Sequence, residues 1–258
     1  MRKSLVLALE RRRPVIVRLK VARLEYRPLL NSAAAAIAVM SLLAVTATAW
    51  AGSYLALGPW ASARLLCFVG VGAALIIHGL PAHSPHLSFG AANQTTVARG
   101  VLVAFLAVLL FERTDSRAQL VALISACLAA TLDAVDGWLA RRTRMSSDFG
   151  ARFDMETDAL FILVLSLWAW RLGKAGPWVI AGGLLRYAFV LAAVLLPAMR
   201  RDLPASFRRK AVAALQMVAL LVVVAPFVPE PVSAPIAAAA LVALAASFSI
   251  DTVWLLRR

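Results

Sequence analysis

Residues 133–158 read DAVDGWLARRTRMSSDFGARFDMETD, and they place four aspartates at regular intervals in a chain otherwise suited to lipid. A carboxylate at membrane depth costs several kcal/mol unless it is paired, neutralised or solvated. Asp133 and Asp136 are three residues apart, so on a helix they share a face, with a rise of about 4.5 Å between them. After a polar turn, Gly150, Asp154 and Asp158 follow at i, i+4 and i+8, again along one face. Two adjacent antiparallel helices would therefore gather the four carboxylates. Such a cluster repels itself, and a divalent cation removes the repulsion. Ligation by oxygen alone suits Mg²⁺ or Mn²⁺, which keep waters and bind substrate phosphates as well.

The surroundings are apolar. The chain has 258 residues, 62% of them hydrophobic, and a mean hydropathy of +0.82. Its apolar residues form blocks near the length a helix needs to cross a bilayer core of about 30 Å. Eight spans are expected, at 32–50, 62–80, 97–111, 118–140, 153–170, 177–197, 211–227 and 232–255. The fold class is all-α, a polytopic membrane protein of about eight transmembrane helices. Cys67 and Cys127 both fall inside apolar runs and read as small buried hydrophobes, not as a disulfide framework.

The formal charge of +14 records topology. With both termini on the inner side, 21 of the 27 basic residues fall on that side and five, Arg64, Arg113, Arg117, Arg171 and Lys174, on the other. Arg186 alone lies mid-span and needs a partner. The asymmetry removes the need for a nucleic-acid partner. It also places the aspartates, residues 93–99 and the basic run 208–210 at cytoplasmic ends, so the site opens to the cytoplasm. Residues 1–31, with nine basic residues among Leu, Val and Ile, read as a basic amphipathic segment on an anionic membrane surface, broken at Pro14.

The small residues between the acids matter. Gly137, Ala140 and Gly150 either let helices pack closely or leave room for a ligand, and their placement beside Asp136 and Asp154 favours the ligand. Arg141 adds a fixed positive charge suited to phosphate. Residues 133–158 match D-x2-D-G-x2-A-R-x8-G-x3-D-x3-D at every fixed position: Asp133, Asp136, Gly137, Ala140, Arg141, Gly150, Asp154 and Asp158. In this the chain resembles the CDP-alcohol phosphotransferases, integral membrane enzymes of phospholipid head-group synthesis. Asn93, Thr96 and Arg99 resemble the N-x2-T-x2-R that opens the first core helix of that family. Arg186 resembles an arginine of its fourth helix. The run RRKAVAALQ, residues 208–216, is a weaker likeness of a Lys-rich element before the fifth, matching at Lys210 and Gln216 but not at Arg209, Val212 and Ala213.

The resemblance implies a six-helix catalytic core over residues 90–258, with the surface segment 1–31 and two additional helices at 32–89 outside it. It implies transfer of a phosphatidyl group from CDP-diacylglycerol to an alcohol, with release of CMP, at the inner face of a bacterial cell membrane, by a homodimer. Asp133, Asp136, Asp154 and Asp158 would hold two Mg²⁺ or Mn²⁺ ions, with Asp158 also the general base. Asn93, Thr96, Arg99, Gly137, Ala140, Arg141 and Gly150 would shape the CDP-donor pocket. Arg152, Arg186, Arg209 and Lys210 are candidates for an acceptor phosphate. Family enzymes that take glycerol phosphate or inositol phosphate usually carry Lys or Arg after the last aspartate, where this chain has Ala159. The acceptor stays open between glycerol-3-phosphate, inositol or inositol phosphate, serine and another alcohol.

Other readings of the same residues are weaker. Interfacial charges facing water would need neither the spacing nor the glycines. A cation transporter would place its acids near the midplane of discontinuous helices, whereas these cluster towards one end. His78, His83 and His86 read as surface or interfacial, since Pro81 and Pro85 interrupt any shared face. Asp251 reads as an interfacial charge near Arg257 and Arg258, Glu156 lies off the acidic stripe, and Asp148 reads as a helix N-cap or loop residue.

Overall fold

In a computed structural model of the chain, eight α-helices follow from the apolar blocks among the described residues. The structure describes residues 15–83, 86–143, 145, 147–201, 203–204 and 206–257, with side chains from Arg27 onward and those of Ala140 and Arg141 excepted. In chain order the helices are α1 (Val15–Leu55), α2 (Ala61–Gly79), α3 (Ala91–Leu109), α4 (Ser116–Thr143), α5 (Asp148–Arg171), α6 (Ile180–Leu195), α7 (Phe207–Val224) and α8 (Glu230–Leu256). Short 3₁₀ turns precede α6 at Pro177–Val179 and follow it at Pro197–Arg200, and another, Leu80–His83, leaves α2. No strand occurs among the described residues.

Each expected span lies on one of these helices. Among the described residues, six helical stretches are long and apolar enough to cross a membrane: Arg27–Leu55, Ala61–His83, Ala91–Leu109, Ser116–Leu139, Pro177–Leu195 and Glu230–Leu256. The protein is polytopic. Helices α5 and α7 fall outside that set because of charge. Asp154, Glu156 and Asp158 occupy the first half of α5, and Arg208, Arg209 and Lys210 the first turn of α7. The large apolar side chains that remain exposed, among them Leu42, Leu75, Val194 and Val242, suit a lipid surround. Cys67 and Cys127 belong to this outer surface: both are exposed, not buried as their apolar context suggests. An apolar run in a membrane helix does not distinguish core from lipid.

Helix α1 continues from Val15 through Pro28 into the first apolar span without a break. Pro14 and the first half of the basic segment lie outside the described residues.

The bundle packs α3 along α4 and α7 along α8, with α5 against α3, α6 and α7. Leu106, Leu109, Phe161, Leu165, Trp168, Leu220 and Val223 fill the centre. Trp168 Nε1 donates to Leu106 O at 3.1 Å, satisfying the indole within that core. Helices α5 and α6 approach closely at Gly183, where a Cβ would lie 2.4 Å from Leu163 Cα. Only a residue without a side chain fits there.

Helices α1 and α2 are not loose additions. Both pack on α3, and the 3₁₀ turn Leu80–His83 packs against α5. Leu29, Ala33, Ile76, Leu80, Phe89, Val97 and Phe149 form a second apolar cluster shared between α1, α2, α3 and α5. Ser32 Oγ accepts from Phe89 N at 3.0 Å. At the other end of the bundle, Glu112 accepts from Gly58 N at 2.7 Å and from Arg64 at 2.7 Å, which ties the α1–α2 connection and α2 to the end of α3.

Candidate active site

Helix α4 carries Asp133 and Asp136 near its C-terminal end, and α5 carries Asp154 and Asp158 in its first three turns. Helix α5 starts where it does because Ser147 caps it: the hydroxyl accepts from Gly150 N at 3.0 Å. Asp148, read from sequence as a cap or loop residue, is instead the first helical residue and adds a favourable charge to the first turn.

Helices α4 and α5 both pack on α3, and single carboxylate oxygens of Asp133, Asp154 and Asp158 come within 4.8 Å of one another. Asp136 lies at the side of this group, 4% exposed, and accepts from Thr96 Oγ1 at 3.2 Å. Helix α3 supplies the third wall. Asn93, Thr96 and Arg99 recur every three residues along one face, and all three are buried.

Arg99 sits among the four acids. Its Nη1 reaches Asp133 Oδ1 and lies 3.2 Å from Asp136 Oδ2, while Nη2 lies 2.5 Å from Asp154 Oδ1 and 3.2 Å from Asp158 Oδ1. Its side chain is fully buried, whereas those of Asp133, Asp154 and Asp158 are 36%, 42% and 31% exposed. The guanidinium therefore lies behind the carboxylates, and the acids face outward. Four carboxylates with one guanidinium leave a formal charge of −3, from −4 and +1.

This arrangement fits a divalent cation. The donor set is entirely oxygen, the hard ligand type that Mg²⁺ and Mn²⁺ prefer. Asp158 Oδ1 meets Arg99 by charge at 3.2 Å without a hydrogen bond, and its carboxylate as a whole is partly exposed, which leaves room for a ligand. Asp133, Asp154 and Asp158 could together hold such an ion.

The glycine at position 150 is explained by contact. A Cβ on Gly150 would lie 3.0 Å from Asn93 Oδ1 and 3.4 Å from Ser147 Oγ, and Asn93 Nδ2 is itself held by Phe89 O at 2.6 Å. Gly137 stands on α4 directly after Asp136. The side chains of Ala140 and Arg141 lie outside the described set.

The four acceptor candidates divide. Arg186 pairs with Glu156 at 2.6 Å, which supplies the partner a mid-span arginine requires. Arg209 lies 3.4 Å from Asp251 and also donates to Pro204 O. Arg152 and Lys210 are exposed. Asp251, expected as an interfacial charge near Arg257 and Arg258, is instead 7% exposed and pairs with Arg208 at 2.5 Å, locking α7 to α8. Sequence spacing pointed to the nearer charges, whereas packing of α7 on α8 selects residues some forty positions away.

One contact was not legible. His83, expected at the surface, is fully buried, with Nδ1 2.6 Å from Ser147 Oγ. No periodicity links residues 83 and 147. A polar residue between two prolines beside an apolar cluster was the only available hint.

A profile of the CDP-alcohol phosphatidyltransferase family matches residues 89–250, which span α3 to most of α8 and every aspartate of the site. The chain belongs to the CDP-alcohol phosphatidyltransferase family. No curated protein and no solved structure matches it. Membership makes it a membrane transferase of phospholipid synthesis, taking a CDP-alcohol and an acceptor.

Proposed function

We propose that this protein transfers a phosphatidyl group from CDP-diacylglycerol to the hydroxyl of a polar acceptor alcohol, releasing CMP. The convergence of Asp133, Asp154 and Asp158 from two helices inside the family-matched region carries this reading. The acceptor oxygen forms a bond to the phosphorus that bears the diacylglycerol. The bond from that phosphorus to the CMP oxygen breaks, and CMP leaves with the bonding pair. Asp158 takes the hydroxyl proton on its partly exposed carboxylate.

Asp133, Asp136, Asp154 and Asp158 would hold two Mg²⁺ or Mn²⁺ ions, whose charge would offset that of the diphosphate and the leaving phosphate. Arg99 offsets part of the mutual repulsion of the carboxylates, so the group stays assembled as ligands arrive and leave. Asn93, Thr96, Gly137, Ala140, Arg141 and Gly150 shape the pocket for the cytidine diphosphate, with Arg99 behind it. Arg152 and Lys210, exposed and basic, contact an acceptor phosphate, and glycerol-3-phosphate is the acceptor assigned first. Paired Arg186 and Arg209 support the walls of that region. All eight helices span the membrane, with both termini and the site cytoplasmic, as the 21-to-5 partition of basic residues supports. The working form is a homodimer.

The test is direct. Purified protein is incubated with CDP-diacylglycerol, Mg²⁺ or Mn²⁺ and a panel of glycerol-3-phosphate, inositol, inositol phosphate and serine. CMP and the lipid product are then measured. CMP release that requires one acceptor identifies the reaction; none with any acceptor sinks the reading.

A further inference from the structure

We infer that His83, outside the family-matched region, is a positioning residue that fixes the start of α5 and hence two of the carboxylates. The inference rests on the phosphotransfer reading above. It gives the end of α2 and its 3₁₀ turn a role in the reaction.

The hydrogen-bond pattern assigns the His83 tautomer. Its Nε2 lies 3.0 Å from Ser88 O, and a carbonyl only accepts, so Nε2 carries the proton. In the neutral ring Nδ1 is then a bare acceptor, 2.6 Å from Ser147 Oγ. The Ser147 hydroxyl therefore donates to His83 while its oxygen accepts from Gly150 N. Both capacities of the cap are used, and its rotor is fixed.

Packing holds the imidazole in place. His83 is fully buried, lies edge-on to Phe149 at 5.7 Å between centroids, and neighbours Phe89 at 6.5 Å. A Cβ on Gly79 would meet the Phe149 ring at 3.1 Å, so the end of α2 rests directly on the first turn of α5. The N-terminus of α5 is thus held by α2 and its 3₁₀ turn on one side and by Asn93 of α3 on the other.

Asp158 lies eleven residues beyond Ser147, about 16 Å along the helix. A tilt of about 4° at the cap moves its carboxylate by about 1 Å. Displacements of that size matter for ligands that must meet one ion. His83 touches neither substrate nor carboxylate; it acts through Ser147.

Two substitutions separate the bonds. His83→Asn keeps an acceptor at the Nδ1 position and loses the bond to Ser88. His83→Gln keeps a donor at the Nε2 position and loses the bond to Ser147. Full-length protein is titrated with Mn²⁺ alone, free ion being read by electron paramagnetic resonance, and CMP release is followed against Mn²⁺ concentration. H83Q is expected to weaken Mn²⁺ binding by about ten- to a hundred-fold, with a parallel rise in the Mn²⁺ needed for half-maximal rate. H83N stays within a few-fold of wild type. A mere loss of folded protein would lower the maximal rate without moving either concentration. Ser147→Ala, which removes the cap hydroxyl from a half-buried site, reproduces H83Q, and the double variant is no worse than S147A. Equal behaviour of H83N and H83Q, unchanged Mn²⁺ affinity in H83Q and S147A, or no Mn²⁺ binding by wild type overturns the role of His83. Wild type that binds Mn²⁺ but releases no CMP overturns the phosphotransfer reading instead, and the Mn²⁺ titrations still decide for or against His83.

Discussion

Arg99 Nη2 lies 2.5 Å from Asp154 Oδ1, and the same guanidinium reaches Asp133 on the neighbouring helix. A fully buried cation thus bridges both halves of the acidic group from behind. Charges taken out of water are stable only when paired, and removing one partner leaves the others uncompensated.

Arg99→Met keeps volume and removes the charge. In a chelator the variant should melt below wild type, because four carboxylates then repel with no internal counter-ion. Saturating Mg²⁺ or Mn²⁺ should restore much of the difference, since the ion supplies the missing positive charge. Melting of both proteins with and without the ion checks this. Equal melting temperatures in chelator would show that the guanidinium does not hold the group together.

Asp158→Asn removes the proposed base and one ligand with almost no change of shape. Loss of a general base costs about 10²- to 10⁴-fold in rate, so kcat for CMP release should drop by at least about a hundredfold. Chelation of divalent ions should abolish CMP release in wild type. Full activity of D158N, or indifference to chelator, would remove this carboxylate from the mechanism.

The acidic stripes were legible because helical periodicity and the two segments of one signature act over short range. The 3- and 4-residue spacings of Asp133, Asp136, Asp154 and Asp158 place them on shared faces whatever surrounds the helices. The helix ends were legible for a related reason: charges such as Arg171 and Glu230 mark where apolar blocks stop. Cys67, Cys127 and Asp251 were not, because their environment depends on which face of an all-round apolar helix meets protein. His83 and Ser147 lie 64 residues apart, and only the docking of the 3₁₀ turn Leu80–His83 on α5 brings them together. Arg99 was assigned to the donor pocket from its motif; that it lies behind all four acids depends on the close packing of α3 on both α4 and α5.

Gly183→Ala should destabilise the bundle. The added Cβ would lie 2.4 Å from Leu163 Cα, a backbone neighbour that cannot rotate away. Overpacking of this kind costs about 1–3 kcal/mol. Gly72→Ala on α2 is the matched control, since a Cβ there meets nothing within 4 Å. Thermal denaturation in detergent should show a lower midpoint for G183A alone. Equal midpoints would mean that α5 and α6 do not approach as closely as Gly183 allows.

Asp251→Ala should loosen α8 from α7. The carboxylate is buried and holds Arg208 at 2.5 Å, and Arg208 also donates to Ser247 Oγ at 2.6 Å. Arg208 is one-third exposed and can regain water, so the loss should be about 1–2 kcal/mol, below that of a fully enclosed pair. Adding Arg208→Ala should cost less than its effect in wild type, because the two residues share one interaction. Strict additivity in melting experiments would show that the pair contributes nothing.

The acceptor question turns on which basic residues are free to meet a phosphate. Arg186 is engaged with Glu156, and Arg209 with Asp251 and Pro204 O. Ala159 stands where phosphate-accepting family members usually carry a basic residue, and it is 6% exposed. A lysine there would have to place its charge against the helix core. Of the four candidate basic residues, Arg152 on α5 and Lys210 on α7 are therefore the ones proposed to meet a phosphorylated acceptor. Arg152→Ala and Lys210→Ala should each raise KM for glycerol-3-phosphate by about tenfold, the loss expected for one hydrogen bond to a charged group. KM for CDP-diacylglycerol should stay close to wild type, because other residues are proposed to build the donor pocket. The effect should shrink as salt rises, since both side chains are exposed and their fields are screened over about 10 Å at 0.1 M. A salt-independent change, or an equal change in KM for serine, would place these residues outside the acceptor phosphate site.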